Sequence, residues 1–280
     1  MAHVRHSHHG ELALDSLMTW IDGSVEAVPN KAMLECQLLA IESDEAMMRF
    51  LHRFVLFNDA LAARVPFLAG LIHLTPNLFL DPEQEEGFCR QANGRVAAYV
   101  AAAASDEYRM TAQRNCVHQY LSQQFFRGVL EFYGVDGRSF DRRHPLPAAL
   151  GELLAEARGK YFQHRAPSEV FSALGFHVGL EFFAHQEFNL VDQYLRARRA
   201  PLVASLERRG SNGAAYLWLA THTVVEIGHY RAGLEGLKAA VKYCHPCDEV
   251  PRMLACIKTG FSGFIEIQRR YYESVARELS

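Results

Sequence analysis

The chain has 280 residues, 49% of them hydrophobic and 22% charged, with a formal net charge of -3. These values fit one large globular domain. They leave no basic surplus to neutralise phosphates, which excludes an ordinary nucleic-acid binder. No apolar run reads as the roughly 18 residues of a membrane span, and Met1 to Gly10 lacks the apolar stretch of a secretory signal, so a cytoplasmic protein with no membrane partner is expected.

Residues 1–30, with His3, His6, His8 and His9 crowded at the start, read as an N-terminal extension, partly disordered. Residues 31–280 read as one helical metal-binding domain. Helical periodicity runs through it. A first helix is expected over Lys31 to Ile41. Ser43, Asp44 and Glu45 signal the start of a second, running towards Ala63. Pro66 kinks or restarts it before Ile72, and Thr75 to Pro82 is a loop. Glu83 to Ala104 reads as helical. Ser105-Asp106-Glu107 signals another start, with Gly134 as the C-terminal stop. Gly137 to Pro147 reads as a loop and Ala148 to Gly159 as a short helix. A long helix capped by Ser168 reaches Arg198, and another spans Ala214 to Tyr243. A last helical region runs from Pro251 to Leu279, broken near Gly260 to Gly263. Alternating strand patterns are missing. The expected class is all-α, a single bundle of about seven to nine helices.

Six cysteines, Cys36, Cys89, Cys116, Cys244, Cys247 and Cys256, lie mostly in apolar segments and read as small buried hydrophobes. Cys244 and Cys247 form a C-x2-C. It lacks the strand-helix context of a redox dithiol and the second pair of a zinc knuckle, and its role stays open.

The chemistry concentrates in His222-x3-Glu226-x2-His229. Offsets of three and four place two imidazoles and a carboxylate on one helix face, amid Leu217, Trp218, Val225 and Leu234. Burying three such groups without partners costs several kcal/mol, and a metal ion satisfies all three. The alternative is ordinary hydrogen bonds for the histidines and an ion pair from Glu226 to a cation such as Arg231. A second apolar helix carries His177, Glu181 and His185 at intervals of four. Glu181 reads as a metal carboxylate; His177 and His185 read as non-ligands. A third helix is needed to close the site, and its candidates are Asp106, Glu107 and His118, with Glu107 also suited to a helix N-terminus.

Three stretches together resemble the haem-oxygenase-like di-iron oxidases, over roughly residues 45 to 243. They are Phe132-Tyr133-Gly134-Val135-Asp136 followed by Pro145-Leu146-Pro147, Ala173-Leu174-Gly175 leading to Leu180-Glu181, and His222-x3-Glu226-x2-His229. The resemblance implies a haem-oxygenase-like helical fold with Glu181, His222, Glu226 and His229 as metal ligands. It also implies Fe(II), as two ions, and O2 as co-substrate. The reaction implied is N-oxygenation, desaturation or C–C cleavage of a small amino-acid-like or amine substrate. Two departures stand out. Glu226 occupies the usual place of an aspartate. The first core helix lacks the family's E-x6-H, with His118 near the place of the glutamate and Gln124 and Phe125 near that of the histidine. The alternatives are a cofactor-free oxidase similar to pyrroloquinoline quinone synthase and a non-catalytic helical binding protein. The partner expected is a small-molecule substrate, with a homodimer the one macromolecular assembly left open.

Overall fold

The computed structural model describes residues 14–24, 29–75, 77–81, 84, 91–107, 110–111, 114–115, 117–161, 166–209, 214–244 and 249–279. Apart from a two-residue antiparallel pair, Met110–Thr111 with Arg114–Asn115, their regular structure is helical. The helices are α1 (14–24), α2 (Asn30–Ala40), α3 (Asp44–Ala62), α4 (Val65–Leu74), α5 (Gln91–Glu107), α6 (His118–Phe132), α7 (Gly137–Arg143), α8 (Ala148–Gly159), α9 (Pro167–Arg198), α10 (Ala200–Arg208), α11 (Ala214–Lys242) and α12 (Val250–Leu279). The all-α expectation holds. The described residues carry more helices than expected because α1, α7 and α10 add short pieces. Leu17 and Ile21 of α1 are buried in the common core.

α9 is the axle. It packs on α11 along one side and α12 along another, and α11 packs in turn on α5 and α6. Its buried residues, from Val170 to Leu195, point in every direction, as befits a helix with neighbours all round. α12 is different. Met253, Ile257, Phe261, Phe264, Ile267, Tyr271 and Val275 are buried at intervals of three and four, so it shows one apolar stripe to the core.

Several boundaries follow from named residues. The Ser43 hydroxyl accepts from Ala46 N at 3.1 Å, and Asp44 and Glu45 sit in the first turn of α3. Pro66 restarts the chain as α4. α6 ends in a Schellman turn: Gly134 has φ +66°, its N–H donates to Glu131 O, and Val135 N–H donates to Leu130 O.

Four expectations need correction. Ser105 to Glu107 does not begin a helix; it ends α5, and α6 starts at His118. The expected loop after Gly137 contains α7, because the Asp136 carboxylate caps it by accepting from Ser139 N at 2.8 Å. Ser168 is not the cap of α9. Pro167 opens that helix after Ala166, whose N–H donates to the Glu169 carboxylate at 3.1 Å. Gly260 to Gly263 does not break α12. A Cβ on Gly260 would lie 1.8 Å from Ser172 O, and one on Gly175 would lie 2.0 Å from Ile257 O, so these glycines let α12 and α9 touch backbone to backbone.

The stretch Asp44–Leu74 is long and apolar enough to cross a membrane, contrary to the sequence expectation, although more than half of its most apolar window is buried in the bundle. It also carries the buried Arg53. That guanidinium donates to the Glu278 carboxylate at 3.0 Å and to the His144 and Pro145 carbonyls at 3.1 and 2.8 Å, which ties α3 to α12 and to the α7–α8 connection.

Candidate metal centre

Glu181 on α9 and His222, Glu226 and His229 on α11 meet where the two long helices face each other, and all four are buried. His229 Nδ1 lies 3.3 Å from Glu226 Oε2 and 3.5 Å from Glu181 Oε2. His222 Nε2 lies 3.6 Å from Glu226 Oε1. Ligand atoms of Glu181, Glu226 and His229 all fall within 4.8 Å of one another. Two atoms bound to one ion at about 2.1 Å stand roughly 3.0 to 3.4 Å apart for angles from about 90° to tetrahedral. The observed separations are close to that range, so the donor set and its spacing fit a first-row divalent ion.

The charges are mutually dependent. Burial disfavours a charged His229, but the Glu181 and Glu226 carboxylates outweigh it and push its pKa well up. Burial and the neighbouring Glu181 charge push Glu226 up, towards its protonated form. Burial would push Glu181 up too, but the His229 and His177 imidazoles prevail and hold it down. A divalent cation in this place would displace the protons that now balance the cluster.

A second group adjoins His222. Trp218 Nε1 donates to His118 Nε2 at 3.1 Å. His118 Nδ1 faces His222 Nε2 at 3.1 Å, and His222 Nδ1 faces the Trp218 carbonyl at 2.6 Å. Phe188 stacks on the His222 ring at 4.4 Å and fixes its plane. Asp59 of α3, not singled out in the sequence, lies 3.3 Å from His118 Nε2, and its carboxylate accepts from Ser122 Oγ at 2.7 Å. Its only sequence signal was an acid in an apolar helix; the partner lies on another helix.

The sequence candidates therefore divide. Glu181, Glu226, His229 and His222 come together, and His118 joins them through His222. The Glu107 side chain lies outside the described residues. His185 is partly buried beside Asn189 and does not reach the cluster. His177 adjoins the cluster through Glu181, its Nδ1 3.3 Å from Glu181 Oε1, and stands outside the group of ligand atoms within 4.8 Å of one another. Cys244 is buried and forms an isolated bridge with Phe79, while Cys247 lies outside the described residues.

A cavity of about 1170 Å³ opens beside the His118 end of the cluster, between α3, α6 and the α7–α8 region. His52, Asp59, Gln123, Phe126, Arg138 and Arg158 are among the residues that line it.

No protein-family model matches the chain, and no curated protein matches it. A solved structure does: a CADD-like protein of unknown function from Nostoc punctiforme, 16% identical, with a TM-score of 0.60 over 95% of this chain and 98% of that one. At that identity the likeness concerns the fold.

Proposed function

We propose that the chain is a non-haem iron protein that uses O2 to oxidise a small amine or amino-acid-like substrate, as its resemblance to the haem-oxygenase-like di-iron oxidases implies. The observation that carries this reading is the convergence of Glu181, Glu226 and His229, with ligand atoms within 4.8 Å in a buried space between two apolar helices. These residues would hold the first ion. Bound there, ferrous iron would supply the site of O2 reduction.

His222 and His118 would hold a second ion. That position is the weaker one, because His222 Nε2 already faces His118 Nδ1 at 3.1 Å and that contact would have to open for an ion to enter. The cavity takes the substrate. Asp59 offers a carboxylate for an ammonium group, while Arg138 and Arg158 in the same lining suit a carboxylate. The residues themselves bind, orient and exclude water; Phe188 and Trp218 keep the His222 side dry. The cytoplasmic, membrane-free and nucleic-acid-free setting expected from the sequence belongs to the same proposal.

The test is anaerobic loading of the purified chain with Fe(II) and exposure to O2. The reading expects one to two bound iron equivalents and O2 uptake that exceeds that of free iron. Turnover of O2 by protein stripped of metal would favour the cofactor-free alternative, and neither binding nor uptake would leave a binding protein.

A further inference from the structure

Beside the cluster stands a histidine that the sequence pattern had set aside. His177 is fully buried on α9, one turn before Glu181. Neither of its ring nitrogens has an aligned hydrogen-bond partner among the described residues. Its Nδ1 is nevertheless only 3.3 Å from Glu181 Oε1. The two groups are close without being aligned as donor and acceptor, which leaves both His177 nitrogens open to a third partner such as an ion beside Glu181. The space for the ring is built in. Gly233, one turn beyond His229 on α11, faces it, and a Cβ there would lie 3.9 Å from His177 Cδ2 and 3.2 Å from Val178 Cγ2. A larger residue at Gly233 would press on the very region where His177 sits.

We infer that His177 is a further protein ligand of the ion held by Glu181 and His229, entering through Nδ1. The inference rests on the proposed metal centre and deepens it. It gives the first ion a second imidazole from α9 and two carboxylates shared between the helices. The site takes a borderline first-row ion that accepts mixed nitrogen and oxygen donors. A merely structural histidine predicts something else: its loss should weaken the fold, since buried structural imidazoles are held by hydrogen bonds.

Co(II) is the probe, because its visible absorption reports coordination and no turnover is needed. His177→Leu is expected to fold, with an apo melting temperature at or above that of the parent chain, because an unpaired polar ring is replaced by an apolar side chain. Its Co(II) affinity should fall at least ~100-fold, and the visible band of the remaining complex should change shape. If His177→Leu does not fold, His177→Gln serves for the same comparison. Parent-like Co(II) affinity and spectrum in the folded variant, with affinity lost in His229→Ala, would overturn the role of His177 and leave the centre standing. Failure of the parent chain itself to bind Co(II) would overturn both.

Discussion

Glu181 and Glu226 stand on different helices, yet each aims one carboxylate oxygen at the same atom, Nδ1 of His229, from 3.5 and 3.3 Å. Their other oxygens face His177 and His222. The two carboxylates thus link three imidazoles across the α9–α11 interface. Glu181→Gln and Glu226→Gln are each expected to weaken the first metal equivalent by about 100-fold, since removing even an outer-shell partner of a metal ligand costs 10- to 100-fold. Equilibrium titration with Fe(II) under nitrogen measures this, and parent-like binding in both variants would contradict it.

His118 predicts a different pattern. It reaches the cluster only through His222 and is anchored by Trp218. His118→Ala should leave the first equivalent within about twofold of the parent and abolish the second. Calorimetric titration separates the two steps. A loss of the first equivalent would show that His118 belongs to the primary site.

A second buried acid gives a pH prediction away from the metal centre. Glu187 accepts hydrogen bonds from Tyr272 Oη and Gln268 Nε2, and Gln268 accepts from Asn30 Nδ2 at 2.7 Å. Burial raises its pKa from 4.5 to about 7, against those two hydrogen bonds. The folded state therefore holds the proton more tightly than the unfolded chain. Its contribution is complete below pH 4.5, shrinks as the unfolded chain ionises, and is lost once the pH passes about 7. The loss is on the order of 3 kcal/mol. Urea denaturation between those limits should show the decline, and Glu187→Gln should flatten it. A parent-like slope in that variant would assign the dependence to other groups.

The α9–α12 contact predicts opposite signs for two glycines of one helix. Gly260→Ala drives a methyl into the Ser172 carbonyl and should cost about 3 kcal/mol or more. Gly263→Ala meets nothing within 4 Å and should gain up to about 1 kcal/mol from helix propensity. Denaturation midpoints of the two variants provide the comparison, and a harmless Gly260→Ala would mean the helices can separate there.

Local chemistry explains what the sequence made legible. The Ser43 cap, the Gly134 stop and the apolar periodicity are short-range signals, so α3, the end of α6 and the all-helical class could be read directly. His222, Glu226 and His229 share one helix, so their common face followed from spacing alone. Contacts between helices could not be read. The Gly260 and Gly263 pattern looks like a break until Ser172 is seen against it. Asp59 means nothing until α3 is set beside α6. His177 was passed over because its significance lies in the missing hydrogen-bond partners, which only packing exposes.

The central claim is that the α9–α11 interface binds iron through His229 and its two carboxylates. The most direct test is an anaerobic Fe(II) equilibrium titration of the parent chain beside His229→Ala, with both folds checked by circular dichroism. The account predicts saturable binding of at least one equivalent in the parent and loss of that equivalent in the variant. Equal binding in the two proteins, or none in the parent, would contradict it.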